Sequence, residues 1–426
     1  MGRETEEHLE SQAEQAQDAT PGGREIVGRQ PSGISGPKTW YRGVTQPIRN
    51  VFRDAGLWFD RLPTAYRFGL VAALIAGAAG VPFMLHHTLG IQSLYWMNIV
   101  DKMGIAALLA LGLNVVVGFA GLLDLGYVAF FAVGAYSYAL LTHAARYSVL
   151  IETQTPEATK LALQIKPPPA TNLIWLFFLI AMVVALLAGV ILGAPTLRLR
   201  GDYLAIVTLG FGEIVRVTAN NLHSTLGGPR GVFNLPHPAV GSYAFGLFNE
   251  PYYWMLLGII VMWIFLLRRL NRSRIGRAWA AIREDELAAA AMGIPTVRMK
   301  LWAFALGAAV ASFGGVVYAS KISFISPDSF RLFPGDFASV TILAMVVLGG
   351  MGGIAGPIVG AALLVFLPER FRAVGDARFL LFGLALVVVM ILRPQGIVPS
   401  RRRAAELRGG EIRETSVFEV QEHGAV

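Results

Sequence analysis

Residues 197–216, LRLRGDYLAIVTLGFGEIVR, constrain the fold more than any other stretch of the chain. The segment opens with a polar, basic cluster (Arg198, Arg200, Asp202) and runs into an apolar helix with Glu213 and Arg216 near its middle. A carboxylate and a guanidinium at bilayer depth are costly unless they pair or face a protein interior. A single anchor offers no interior, so the segment belongs to a polytopic bundle. With Asp202 as the expected N-cap and about 1.5 Å of rise per residue, Glu213 falls about 16 Å along the helix, near the midplane. At i and i+3 the two charges can pair on one face. Spacing alone leaves two readings open, a functional site inside the membrane or a buried structural clamp.

Composition supports a membrane protein. Of 426 residues, 54% are hydrophobic and 15% charged, against about a quarter charged in ordinary soluble domains. The 47 glycines suit helices whose backbones approach closely in lipid. Without cysteine, neither disulfides nor thiolate metal sites are available. The net charge of +8 lies in loops flanking apolar spans and reads as a topology signal, not a nucleic-acid surface.

Apolar runs, each near the ~20 residues that span hydrocarbon, lie at 67–85, 96–119, 126–142, 171–193, 202–221, 252–268, 301–320, 337–350, 354–368 and 377–393. The expected fold is therefore an all-α polytopic membrane protein of about ten transmembrane helices, with eight or nine as alternatives. Asp101 and Lys102 interrupt the second run, so its first turns are expected along the outer surface, with the span starting near Gly104. The eighth and ninth runs are short and separated by GGMGG (349–353), as two spans or one re-entrant element would be. Residues 1–66 are expected to form a disordered cytoplasmic tail, 67–400 the transmembrane domain and 401–426 a C-terminal cytoplasmic tail. No apolar core near Met1 suggests a signal peptide.

Orientation follows from Lys and Arg. The loop 268–300 carries eight basic residues (Arg268, Arg269, Arg272, Arg274, Arg277, Arg283, Arg298, Lys300). Residues 143–170 carry only Arg146, Lys160 and Lys166, and 222–251 only Arg230. The first loop is therefore expected inside and the other two outside, which places both termini in the cytoplasm. Arg370 and Arg372 fit this count poorly and keep a re-entrant segment in play.

The basic loop RSRIGRAWAAIREDELAAAAMGIPTVRMK (272–300) predicts a cytoplasmic helix from Arg277 to Met292, ended by Gly293 and Pro295. Leu287, Ala290, Ala291 and Ile294 share one side. Such a helix could dock into a partner or serve as a solvated linker. GLNVVVGFAGLLDLG (112–126) and LGGMGGIAGP (348–357) are glycine-rich at membrane depth. There, irregular backbone must line a cavity or be buried in protein. His86 and His87 are expected at the outer interface. GxxxxGK[ST], HExxH and GxSxG are all missing, and no Cys/His cluster suggests a metal, so nothing points to an embedded enzyme.

The stretches GLNVVVGFAGLLDLGYVAFFAVGAY (112–136), LRLRGDYLAIVTLGFGEIVR (197–216), GRAWAAIREDELA (276–288), VVLGGMGGIAGP (346–357) and RPQGIVP (393–399) resemble the M-type permease subunit of high-affinity branched-chain amino acid ABC importers. The resemblance covers roughly residues 67–400, in order and spacing, and leaves the first sixty without a match. It implies a pathway formed with a second homologous permease subunit, two cytoplasmic ATPase subunits that bind the ATP, and a periplasmic binding protein that delivers Leu, Ile or Val. It implies no cofactor on this chain and a place in the cytoplasmic (inner) membrane. It further implies that 276–293 is the ATPase-coupling helix, with Arg277, Trp279, Arg283, Glu284, Asp285, Glu286 and Gly293 as its coupling residues. The wider importer signature, Glu-Ala-Ala with Gly six residues after the Glu, is not met strictly: Glu286 precedes Gly293 by seven, and Leu287 replaces the first Ala.

Asn114, Asp124, Glu213, Arg216, Gly350 and Gly353 are the candidate solute-pathway residues. A zwitterionic amino acid needs a donor for its carboxylate and an acceptor for its ammonium, which helix ends and an acid can supply. Alternatives are a same-family permease for urea or short amides, an ion-coupled secondary transporter, and a structural scaffold. The scaffold would leave the buried charge unexplained.

Overall fold

The computed structural model describes residues 75–89, 93–152, 174–196, 201–240, 243–245, 249–332, 337–371 and 396–398, with isolated positions between them. All lie within the unit Phe52–Val426. Both expected tails, most of the run 377–393, and Arg198 and Arg200 fall outside the described residues.

The described chain is built from helices. In order they are α1 (Val81–Leu89), α2 (Ser93–Asn114), α3 (Val128–Glu152), α4 (Ile174–Thr196), α5 (Asp202–Asn221), α6 (His223–Leu226) and α7 (Asn249–Asn271). Then follow α8 (Arg274–Glu284), α9 (Glu286–Ala291), α10 (Thr296–Ile322), α11 (Ser339–Gly349) and α12 (Ala355–Arg370). Four two-residue strands make two short antiparallel ribbons: β1 (Val232–Phe233) with β4 (Phe324–Ile325), and β2 (Ala239–Val240) with β3 (Tyr243–Ala244). Among the described residues, four helical segments, 93–119, 175–196, 250–271 and 296–322, are long and apolar enough to cross a membrane. Exposed aromatics mark both ends, as interfacial side chains do. Tyr95, Trp175 and Trp254 lie at the ribbon end and Trp302 at the end carrying α8 and α9.

Helix α10 is the hub, packing against α2, α3 and α4, and α2 in turn packs against α7, α11 and α12. Its sequence, ALGAAVASFGGVVYAS, presents small side chains on every face, which lets three neighbours approach at once. The α2–α10 crossing is close and reciprocal. A Cβ on Gly112 of α2 would lie 3.0 Å from the Gly307 carbonyl oxygen, and one on Gly307 3.1 Å from that of Gly112. The Tyr127 hydroxyl seals the crossing by donating to the same Gly307 carbonyl at 2.9 Å.

Several sequence expectations change here. Helix α2 is continuous from Ser93 and does not begin near Gly104; its first turns expose Leu94 and Tyr95, but Asp101 is fully buried and pairs with Lys321 of α10 at 2.5 Å. The charge that interrupts the hydropathy run is satisfied inside the bundle. Asp202 is not the N-cap of α5. Gly201 occupies that position with φ +56, and Asp202 sits in the first turn, where the helix dipole favours an acid. The runs 337–350 and 354–368 form a hairpin of two separate helices. At 11 residues, α11 is about 16 Å long, half of what a full crossing requires. The Ile397 and Val398 amides donate to the carbonyls of Leu348 (2.8 Å) and Gly349 (2.9 Å), so the chain returns to tie down the end of α11.

Candidate functional site

The expected coupling helix is two helices. Asp285 leaves the helical region (φ −152, ψ 113), and its carboxylate accepts hydrogen bonds from the amides of Leu287 (2.8 Å) and Ala288 (3.0 Å). An acid that can cap a helix competes with helix propagation through it, so the single helix drawn through 285 breaks there. Gly293, at φ +83, follows α9 and permits the reversal into α10.

The coupling residues divide by exposure. Trp279 is completely buried, its indole N–H donating to the Met299 carbonyl at 2.7 Å, so it anchors α8 to the base of α10. Glu286 pairs with the buried Lys300 at 2.5 Å. Arg277 reaches the Arg272 carbonyl at 3.1 Å, and Glu284 faces outward. Leu287 (64% exposed) and Met292 (83%) stand out of α9 as an uncovered apolar step.

Arg283 turns inward. Its Nη1 donates to the Gly118 carbonyl at 2.7 Å. Gly118 belongs to a π-helical turn, Val115–Phe119, that widens the last turn of α2 and at such positions commonly serves function. On the other side of this turn, Asn114 Nδ2 donates to the Gly353 carbonyl (2.7 Å) and its Oδ1 accepts from the Gly352 amide (3.0 Å). A Cβ on Gly118 would meet Asn114 Oδ1 at 2.0 Å, so only glycine allows the clamp to close. One connected path thus runs from α8 through the π-turn to the glycine-rich reversal between α11 and α12. Asn114, Gly350 and Gly353, chosen separately in the sequence, belong to this single unit.

Asp124 lies elsewhere, in the irregular 120–127 segment that leads into α3. Its Oδ1 accepts from the Gly126 amide at 2.9 Å, while Oδ2, fully buried, has no hydrogen-bond partner. Thr208 of α5 holds the segment by accepting from the Leu125 amide at 3.1 Å. The first turns of α3 and α11 meet close by, where the Val128 amide donates to Ser339 Oγ at 3.0 Å. Two oppositely directed helix N-termini and an acid with a spare acceptor therefore share one region of the interior.

Glu213 and Arg216 form the expected i,i+3 pair, with Arg216 Nε 2.9 and 3.0 Å from the two carboxylate oxygens. The pair is not a buried clamp: the side chains are 44% and 27% exposed. Arg216 also approaches Asp328 at 3.7 Å, and Asp328 pairs with Arg331 at 2.9 Å. Among the described residues no hydrogen bond or ion pair joins this ladder to Asn114 or Asp124, although Gly212, next to Glu213, packs on Gly126.

Sequence reading missed the Asp101–Lys321 pair, since the partners are 220 residues apart. The signal in the sequence was weak: Asp101 interrupts an apolar run and Lys321 directly follows another. It also missed His237, whose Nδ1 lies 2.7 Å from the Tyr252 hydroxyl and 2.9 Å from the Ser320 carbonyl, tying the ribbon end to α7 and α10. Among the described residues, no group of His, Cys, Asp and Glu is arranged to hold a metal ion.

Residues 95–392 match the family described as "Branched-chain amino acid transport system / permease component". The chain is 39% identical over 363 residues to the high-affinity branched-chain amino acid transport system permease protein LivM of Escherichia coli K12, covering 80% of this chain and 77% of that protein. It is 24% identical over 242 residues to a probable LivM permease of Methanocaldococcus jannaschii, covering 52% of this chain and 68% of the relative. A third relative, the permease protein LivH of Escherichia coli K12, is 30% identical over 145 residues, 33% of this chain and 44% of LivH. No solved structure matches the chain.

Proposed function

The chain belongs to the branched-chain amino acid transport system permease family, and from that premise we propose that it is a membrane-spanning subunit of an ATP-driven importer for Leu, Ile and Val. A second homologous permease completes the pathway, two separate cytoplasmic subunits bind and hydrolyse ATP, and a periplasmic protein delivers the solute. The eight basic residues of 268–300 support a topology with α8 and α9 on the cytoplasmic side, the ribbons outside and both termini inside.

The observation that carries the mechanism is the contact path from Arg283 to Gly118 and from Asn114 to Gly352 and Gly353. Closure of the ATPases on the exposed step of α9 moves α8, and Arg283 passes the displacement to the π-turn. Asn114 then carries it to the α11–α12 reversal, so the bundle rocks between inward- and outward-facing states. For solute recognition, Asp124 supplies the acceptor for the ammonium, and the N-terminal turns of α3 and α11 supply donors for the carboxylate.

Affinity purification from native membranes tests the assembly: two ATPases and a second permease are expected, while a chain that emerges alone favours an ion-driven carrier. The cognate binding protein, titrated with Leu, Ile, Val and urea, separates amino acid import from amide import. In reconstituted vesicles, Arg283→Ala is expected to assemble and hydrolyse ATP yet lose solute uptake. If Asp124→Asn and Glu213→Gln both transport at full rate, the pathway assignment is wrong.

A further inference from the structure

The uncovered face of α5, with Tyr203, Ile206 and Val217 exposed, carries charges that pair with one another, Glu213 with Arg216 and Arg216 with Asp328. A second uncovered face, between α4 and α7, differs. Glu250, in the first turn of α7, makes no ion pair or hydrogen bond among the described residues. It lines an open cavity of about 420 Å³ with Trp175 of α4, Phe245 just after β3, and Pro251, Trp254 and Met255 of α7. Trp175 and Trp254 are 50% and 44% exposed, and neither indole N–H has a partner among the described residues. The cavity sits where the crossing segments 175–196 and 250–271 begin, at the ribbon end of the hydrocarbon.

Below the cavity, α4 and α7 both pack on α10 and make no extended contact with each other among the described residues. Phe313 of α10 lies between them, with Phe178 of α4 stacked on it (centroids 5.1 Å apart) and Trp263 of α7 edge-on (5.5 Å). Leu179 and Met262 stand exposed on the two flanks. A Cβ built on Gly258, one turn below Trp254, meets nothing within 4 Å. A polar cavity at the interface above an apolar channel matches an amphiphile with its head above its tail. Two indole faces and a carboxylate select a cationic head, and Glu250 repels one that carries only negative charge. A phospholipid headgroup with a primary ammonium satisfies all three groups. Its ammonium bonds to Glu250 against the rings, and its phosphate accepts from the indole N–H groups.

We propose that the cavity walled by Trp175, Glu250 and Trp254 binds the headgroup of phosphatidylethanolamine, with an acyl chain lying in the channel between α4 and α7. The site requires only that the chain crosses a membrane. Neither the transported solute nor the orientation of the chain enters.

The test uses the full chain, purified in mild detergent with whatever subunits accompany it and exchanged into equal amounts of phosphatidylethanolamine and phosphatidylglycerol. Native mass spectrometry is expected to show one phosphatidylethanolamine surviving activation that strips the other lipids. Glu250→Gln, and Trp175→Ala combined with Trp254→Ala, are each expected to lower its occupancy several-fold. Trp302→Ala, at an exposed tryptophan of the opposite end, is expected to leave it unchanged. Glu250→Lys is expected to turn the preference toward phosphatidylglycerol. Equal retention of the two lipids, occupancy that the cavity variants do not alter, an equal loss with Trp302→Ala, or a preference that Glu250→Lys does not shift overturns the site. Phosphatidylethanolamine with a photoreactive acyl chain reads the wild-type chain without any variant. Label within 175–183 and 254–262 supports the site; label elsewhere, or on another subunit seated in the channel, overturns it. No step measures transport, so failure of the importer reading and failure of this site are separate results.

Discussion

Helices α4 and α10 invert the rule that governs soluble proteins. The segment 175–196 of α4 has a mean hydropathy of 2.9, yet only 33% of its most apolar stretch is buried; the segment 296–322 of α10 has a mean hydropathy of 1.7 and is 78% buried. The more apolar helix is the outer one. Hydrocarbon is as apolar as leucine, so burying Leu187 or Ile191 against protein gains little over leaving them in lipid. What earns a central position in α10 is a run of Gly, Ala and Ser that admits neighbouring backbones, plus a lysine that only an internal partner can satisfy.

This contrast is broken most severely by adding bulk at the hub. Gly307→Leu must push Val116 Cγ2, already 2.7 Å from a bare Cβ, and the Gly112 backbone. The expected outcome is loss of monodisperse protein in size-exclusion chromatography. Next comes charge: Asp101→Asn leaves Lys321 buried without its counter-ion and is expected to cost roughly 3–5 kcal/mol, read as a large fall in melting temperature. Asp101→Leu combined with Lys321→Met should recover most of that loss. If the double variant is no better than the single one, the pair is not the reason for the charge.

A smaller effect tests the ribbon end. Burial holds His237 below its ordinary value of 6.5, against the opposing pull of the Ser320 carbonyl. Because the folded state prefers the neutral ring, its contribution is complete above the unfolded value and is lost as pH falls from there through the lower folded one. Melting temperature is expected to fall on acidification from pH about 7.5 to about 5, with His237→Gln flattening the dependence. A curve that His237→Gln leaves unchanged assigns the effect to another group. The smallest effect belongs to the outer helix: Leu187→Ala or Ile191→Ala is expected to change stability by no more than about 0.5 kcal/mol. A larger loss would mean that α4 is covered in the assembly.

Much of the site was legible in pieces. The glycine-rich stretches 112–126 and 348–357 announced irregular backbone at depth, and Asn114 of the first stretch hydrogen-bonds Gly352 and Gly353 of the second. Glu213 and Arg216 paired as their spacing required. The break at Asp285 was missed because propensity favours helix throughout 277–292, while a single carboxylate capping two amides outweighs it locally. Trp279 gave no sign of being interior, because an amphipathic loop helix shows a tryptophan equally well to a partner or to its own bundle.

By itself, the order of residues determined that this chain enters a membrane repeatedly, where most of its helices run, and to which permease family it belongs. Those properties depend on local hydropathy, small-residue runs and short motifs, all read along one dimension. The tertiary structure alone decided which helix is central, which buried charges find each other across 220 residues, and which face of α5 remains uncovered. Lipid removes the hydropathy difference between inside and outside, so these choices rest on backbone approach and on the pairing of distant polar groups.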